Sequence, residues 1–268
     1  MRVRFSGVRG SVPWATPGSI GHGCNTSCVE VSTDDGRHRL ILDAGSGIVA
    51  LGESLAAEPR EIPILLTHYH WDHVQGLPYF VPFYKPGWSP SIHAPALGHV
   101  NEAWIETIFQ PPFFPVSFGQ LPTRPELHMV RPGNISIEGF DIRAQPVNHP
   151  NGAFGYRIRG TGGDLVYIPD HELGDRRVDE PLGAFVSGAR ALILDAHFTP
   201  EESPSFVGWG HSNWSDAAHF AAANNVGQLW LFHHRPGRSD RQLAKIKEAA
   251  REIFRAVDVA AEGDSFEV

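Results

Sequence analysis

Six times along this chain a short apolar run stops and an aspartate or histidine follows. The runs are Arg39–Leu42 before Asp43, Ile64–Thr67 before His68 and Ala144–Asn148 before His149. Leu165–Pro169 precedes Asp170, Leu192–Leu194 precedes Asp195 and Leu229–Phe232 precedes His233. One aspartate after a strand is ordinary turn chemistry. Six such ends are harder to credit to turns alone, because open α/β sheets gather function outside the carboxyl ends of their strands. The feature therefore constrains the chain to strand–loop units that converge on a shared polar edge.

The densest group is Thr67-His68-Tyr69-His70-Trp71-Asp72-His73. Four candidate metal ligands fall within six residues. Alternation puts His68 and His70 on one side of an extended segment, and the following turn aims Asp72 and His73 elsewhere. Neutral imidazoles with carboxylates form the ligand set of Zn²⁺ and neighbouring first-row dications. Burying them without partners would be costly. A closed structural zinc site is excluded by ligand type: the chain has 15 histidines but two cysteines, Cys24 and Cys28. The pattern points to a catalytic metal.

Strand-like runs occur at Val3–Phe5, Ser27–Val31, Arg39–Leu42, Ile62–Leu66, Phe140–Val147, Phe154–Ile158, Leu165–Ile168, Ala191–Leu194 and Leu229–Phe232. Ser212 and Ser239 are candidate caps of two helices, the second with Leu243, Ile246, Ala250 and Ile253 on one face. Glu102–Ile108 is a third candidate helix. The order suggests a layered α/β domain. No repeat and no linker divides residues 1–268, so they are expected to form one domain. The Pro-rich stretch Pro78–Pro125 reads as an irregular excursion, with Pro111–Phe118 either a loop packed by its own aromatics or a hydrophobic wall beside a pocket. No apolar window is long enough to span a membrane, and the first residues lack a secretory core, so a reduced cytoplasm is expected. The net charge of −8 argues against a broad nucleic-acid surface, though not against a small phosphate ester.

His68-x-His70-x-Asp72-His73 resembles the signature of the metallo-β-lactamase fold superfamily, a four-layer αββα sandwich with a dinuclear metal site at one sheet edge. Asp43, His149, Asp170 and His233 resemble its other motifs in order. The resemblance implies that His68, His70 and His149 hold one divalent metal. Asp72, His73 and His233 would hold the other, with Asp170 bridging and Asp43 orienting a ligand histidine. The two ions would be Zn²⁺ first, with Mn²⁺ as the alternative.

Leu194-Asp-Ala-His-Phe198 with Gly210-His-Ser-Asn-Trp214 is similar to segments of ribonuclease Z and its small-phosphodiester relatives. There an acidic residue stands beside a histidine, here Asp195 beside His211. Phe5–Ser11 and Cys24–Val31 resemble bacterial members grouped with the phosphoribosyl cyclic phosphate phosphodiesterase. The resemblance implies a hydrolase that attacks a small, cyclic phosphodiester with a metal-bridging hydroxide. Asp72 would be available as proton acceptor and His211, backed by Asp195, would protonate the leaving oxygen. The alternative is a lactone or thioester hydrolase on the same dinuclear site. A homodimer is left open. Arg9, His234 and Arg235 are further candidates for phosphate contact, His197 for lining the pocket, and Tyr69 and Trp71 for packing under it. Trp209 and Trp214, on either side of His211, are candidates for stacking a base or sugar.

Overall fold

Strand residues of opposite parity face two different cores. In the run Arg39–Leu42, Leu40 and Leu42 point into one apolar cluster and Ile41 into another. A strand buried on both faces reads as a continuous apolar run rather than an alternating one, which is why the runs above are so plain in the sequence. The computed structural model describes residues 1–55, 61–101 and 103–268. In chain order they form β1 (Arg2–Gly7), β2 (Cys28–Ser32), β3 (Arg39–Leu42), α1 (Gly47–Leu55), β4 (Glu61–Leu65), α2 (Trp71–Val74), β5 (Ser89–Pro95), α3 (Trp104–Ile108), β6 (Glu126–Val130) and β7 (Gly133–Ile137). There follow β8 (Phe140–Val147), β9 (Ala153–Ile158), β10 (Leu165–Ile168), α4 (Arg176–Val186), β11 (Ala191–Asp195), α5 (Trp214–Ala223), β12 (Leu229–Phe232), α6 (Asp240–Ile253), β13 (Val257–Val259) and β14 (Ser265–Glu267).

Among the described residues the strands make two seven-stranded sheets, ordered β14-β1-β2-β3-β4-β5-β6 and β13-β12-β11-β10-β9-β8-β7. The inner faces share one core, including Val3, Phe5, Leu40, Leu42, Tyr156 and Ile193. The outer face of the first sheet carries α1, α2 and α3 through Ile48, Leu51, Val74 and Ile105. That of the second carries α4, α5 and α6 through Leu182, Phe185, Ala218, Leu243 and Ile246. The result is the four-layer αββα sandwich. Each fully buried Leu, Ile or Phe contributes about 1.5–3 kcal/mol, so the three clusters rather than local propensity hold the layers.

Pairing is parallel along β3-β4-β5-β6 and along β10-β11-β12-β13. Parallel strands end on the same side, which brings Asp43, His68, Asp170, Asp195 and His233 to one rim.

Several elements differ from the sequence expectation. The stretch Pro78–Pro125 is not wholly irregular: it contains β5 and α3. Pro90 and Pro95 mask β5 in the sequence, yet its Ile92 and Ala94 bury in the outer core. The segment Pro111–Phe118 packs on its own aromatics: Phe114 meets Phe109 and Tyr79, and Phe118 is buried against Phe109. Asn213 rather than Ser212 caps α5, its side chain accepting from the Asp216 amide at 2.9 Å. Ser212 instead donates to the His171 carbonyl. Ser239 caps α6 in a reciprocal capping box with Gln242. The third helix begins at Trp104; Glu102 lies outside the described residues.

Candidate metal centre

The rim assembles from turns that follow strands. His68 and His70 lie between β4 and α2, while Asp72 and His73 sit on α2 itself. His149 follows β8, Asp170 follows β10 and His233 follows β12. Asp43 and His233 both take positive φ, 59° and 58°, so each turn doubles back and aims its side chain across the sheet edge. The structure brings all seven ligand candidates together.

Asp170 is the hub. Its Oδ2 faces His68 Nε2 at 3.8 Å and His149 Nε2 at 3.6 Å. Its Oδ1 faces His73 Nε2 at 3.1 Å and His233 Nε2 at 3.3 Å. One carboxylate thus addresses two ligand sets, one oxygen to each. Donor atoms of His68, His70 and His149 fall within 4.8 Å of one another, as do those of Asp72, His73 and His233. Asp72 Oδ2 lies 3.1 Å from His233 Nε2 and 3.4 Å from His73 Nε2.

The orienting contacts are as informative as the ligands. Asp43 Oδ2 accepts from His73 Nδ1 at 2.9 Å, from the Tyr167 hydroxyl at 2.8 Å and from the Thr67 hydroxyl at 2.9 Å. This fixes the His73 ring with Nε2 pointing at Asp170. His149 Nδ1 donates to the Gly210 carbonyl at 2.9 Å, which fixes its tautomer likewise. Gly210 has φ of +86°, and a Cβ there would lie 2.3 Å from His149 Nδ1. Only glycine lets that carbonyl approach.

Whether these residues fit divalent metals can be tested on the cluster itself. His68 Nε2 and Asp170 Oδ1, both facing into the cluster, are buried without hydrogen-bond partners, an expensive state for any polar atom. Pairs of imidazole nitrogens face each other at 3.0 Å in His149–His70 and 3.3 Å in His73–His233. Burial favours the uncharged acid of Asp170, but His233, His73 and His68 outweigh it and hold the carboxyl well below its usual range. Burial likewise keeps His68 neutral and pushes His149 down to about 4. Burial works in the same direction on His73, yet Asp170, Asp72 and Asp43 together force its pKa well above the ordinary value. The carboxylates thus draw positive charge onto His73, while His68 and His149 stay neutral and Asp170 ionised. Neutral imidazoles and ionised carboxylates are the forms that bind a cation, so the donor set fits.

Beside the cage, His211 Nδ1 lies 2.8 Å from Asp195 Oδ2 and 3.8 Å from Asp170 Oδ2. The backbone amides of His197 and His171 donate to the two Asp195 oxygens at 2.9 and 3.1 Å. Burial lowers the His211 pKa, but Asp195, Asp170 and Asp72 outweigh it and raise it to about 9. The His197 ring stacks on His211 at 4.5 Å, and its Nδ1 donates to the His233 carbonyl.

Other candidates land elsewhere. His234 is buried and bonded to the Ala260 carbonyl, so it does not reach a phosphate. Arg235 pairs with Glu202 and covers Phe206. Arg9 is 0% exposed and bonded to three carbonyls. Tyr69 packs on Trp104, but Trp71 is 56% exposed and does not lie under the cluster. Trp209 is exposed, whereas Trp214 packs on the outer core. Sequence reasoning missed Thr67, Tyr167, Gly210 and the Gly10–Ser11 turn. Thr67, Gly210 and Gly10–Ser11 lie inside motifs singled out in the sequence, whereas Tyr167 had no local signal.

The profile of the β-lactamase superfamily domain matches residues 38–234, from just before Asp43 to just after His233. The chain belongs to that family and is a hydrolase with the metallo-β-lactamase fold. Within it the likeness falls on the ribonuclease Z-like branch. Ribonuclease Z of Bradyrhizobium diazoefficiens is 29% identical, covering 84% of this chain and 89% of that protein. Ribonuclease Z of Lactobacillus johnsonii is 24% identical over 100% and 99%. In fold, the metallo-β-lactamase fold protein YhfI of Bacillus subtilis superposes with a TM-score of 0.78 at 21% identity, covering 99% of each chain. A diphosphatase of the PhnP family superposes with a TM-score of 0.74 at 20% identity, covering 100% of this chain and 97% of that one.

Proposed function

We propose that residues 1–268 form one dinuclear metal-dependent hydrolase domain that opens a small, cyclic phosphodiester. The observation that carries this reading is the Asp195–His211 pair at 2.8 Å, set beside a carboxylate that faces two ligand sets. The ribonuclease Z and diphosphatase relatives support phosphoester chemistry as the class. His68, His70 and His149 would hold one divalent cation and Asp72, His73 and His233 the other, with Asp170 shared. Zn²⁺ is the first choice and Mn²⁺ the second. Bound there, the two cations would supply Lewis acidity to the phosphoryl oxygens and lower the pKa of water.

The protein's own groups then have defined tasks. His211 gives its Nδ1 proton to the Asp195 hydrogen bond, which leaves Nε2 as the atom that carries a transferable proton. Asp195 is held by two backbone amides, so the imidazole is presented in one orientation. A sugar oxygen leaves poorly as an alkoxide, and protonation by His211 removes that difficulty. Asp72 is the carboxylate placed to take up the proton that water surrenders. His197, stacked on His211, excludes solvent from its other face.

Small substrates are favoured by the net charge of −8 and by the engagement of Arg9 and Arg235 inside the protein. Two free cysteines, Cys24 and Cys28, are in keeping with a reduced cytoplasm. Because the relatives are ribonucleases by name, an RNA 3′ end belongs in the test. The experiment is hydrolysis by Zn²⁺- or Mn²⁺-loaded protein of 2′,3′- and 3′,5′-cyclic nucleotides, a ribose 1,2-cyclic phosphate, an RNA, a homoserine lactone and a thioester. Turnover of a cyclic phosphodiester above the rest is expected. Robust lactone turnover with inert phosphodiesters would reverse the assignment.

A further inference from the structure

Among the buried charges outside the metal cage and the proton-transfer pair, Arg9 is completely enclosed. Arg9 Nε donates to the Gly23 carbonyl at 2.8 Å, Nη1 to Arg238 at 2.7 Å and Nη2 to Ser19 at 2.9 Å. A guanidinium that ties together three backbone segments is a strut rather than a ligand site. What it holds is the start of the turn that follows. The Arg9 amide donates to the Asn25 carbonyl at 2.9 Å, and the Gly10 amide to His234 at 3.1 Å. The His234 amide donates back to Val8 at 2.9 Å.

From that anchorage the turn reaches two ligand candidates of the same set. Ser11 adopts φ of +63°, a left-handed conformation unfavourable for a residue with a Cβ. The conformation turns its backbone amide onto Asp72 Oδ2, at 2.6 Å. Gly10 lies flat on the His233 imidazole: a Cβ there would sit 2.4 Å from Cε1 and Nδ1. The opposite set is oriented by other groups, His68 by Thr67 and His149 by Gly210.

We infer that the Arg9–Ser11 turn is a positioning device for one cation only, the one held by Asp72, His73 and His233, with Arg9 its anchor. The inference rests on the metal reading above. Arg9 acts through Gly10, which limits where His233 can stand, and through the Ser11 amide, which fixes the rotation of the Asp72 carboxylate. Contacts of this kind are typically worth 10–100-fold in metal affinity. Because only one set is touched, the device would separate the affinities of two otherwise similar positions.

Calorimetric titration of metal-free protein with Mn²⁺ tests this. Wild type should take up two ions. Gly10→Ala and Arg9→Lys should keep one affinity unchanged and weaken the other by about 10–100-fold. Ile246→Val, in the outer core, should lower thermal stability and leave both affinities alone, which separates positioning from general destabilisation. In wild type, exchange of the Ser11 amide with solvent should slow at one equivalent of metal and not at the other, a readout that needs no variant to fold. Two ions with unchanged affinities in folded Gly10→Ala and Arg9→Lys would overturn the inference and leave the metal reading standing. A wild type that binds no Mn²⁺ or Zn²⁺ would overturn both. Loss of both affinities together in the variants would also overturn it, because the effect would then not be selective.

Discussion

Arg9 and Asp170 are both buried charges, and their surroundings are opposites. Arg9 spends its donors on three carbonyls. Asp170 stands among four imidazoles, with its Oδ1 and the neighbouring His68 Nε2 left without hydrogen bonds. Both must overcome desolvation; Arg9 does so on backbone carbonyls, Asp170 on the imidazoles that surround it. A charge satisfied by backbone is structural, because nothing remains for a ligand to do. A carboxylate ringed by imidazoles, with Asp170 Oδ1 and His68 Nε2 unmatched, has the donor chemistry that suits a cation. The contrast separates a strut from a site without reference to any relative.

The sharpest way to break the contrast is to remove the hub. Asp170→Ala should lower bound Zn²⁺ or Mn²⁺ from two per chain to fewer than one by elemental analysis and abolish hydrolysis, while the fold survives by circular dichroism. A variant that still holds two ions would show that Asp170 is not shared. Next in size is His211→Ala. It should keep its metals and lose about 10²–10⁴-fold on a sugar leaving group, with little loss on p-nitrophenyl esters, whose leaving group needs no proton. Equal losses on both substrates would make His211 a positioning residue. On the other side of the comparison, Arg9→Met strands three buried carbonyls, each worth about 1–3 kcal/mol when left unpaired. Urea unfolding of the metal-free protein should therefore show a loss of about 3 kcal/mol or more. A loss under about 1 kcal/mol would mean that water replaces the guanidinium.

The smallest effect comes from His93, on β5, far from both charges in the sequence. Burial, and then its stacked neighbour His128, push it down to about 4. The folded state favours the neutral ring, whereas the unfolded chain binds a proton from about pH 6.5 downward. Stability contributed by the neutral ring is thus present above pH 6.5 and lost as pH falls toward 4. His93→Gln should flatten the stability profile across that window, and an unchanged profile would show that His93 titrates normally.

Much of the cage was legible because ligands must stand where strands stop. His68, His149, Asp170 and His233 each follow an apolar run, and parallel pairing carries those ends to one rim. What was not legible depends on contacts distant in sequence. Nothing near Arg9 announces that carbonyls of Ser19, Gly23 and Arg238 converge on it, and a Gly-flanked arginine reads as readily as a phosphate contact. Strand β5 was hidden by Pro90 and Pro95, since prolines argue against a strand until the buried Ile92 and Ala94 are seen. Helix α4 was hidden by Pro181 and the charges of Arg176–Glu180, although Asp175 caps it. The shift of the α5 cap from Ser212 to Asn213 is a local competition. The Ser212 hydroxyl had a better partner in the His171 carbonyl, and the neighbouring side chain took the amide.

The spread of the cage along the chain has a consequence for how the protein is made. More than half of the chain separates His73 from His233, the imidazole that faces it at 3.3 Å. Arg238, whose carbonyl anchors the turn beneath Asp72, comes later still. A ribosome therefore exposes His68, His70, Asp72 and His73 long before Asp170 and His233 exist to complete the cluster. On the proposed metal reading, loading would wait on His233 and Arg238, so the ions acquired would be set by the pool that the folded protein meets rather than by the one around the ribosome.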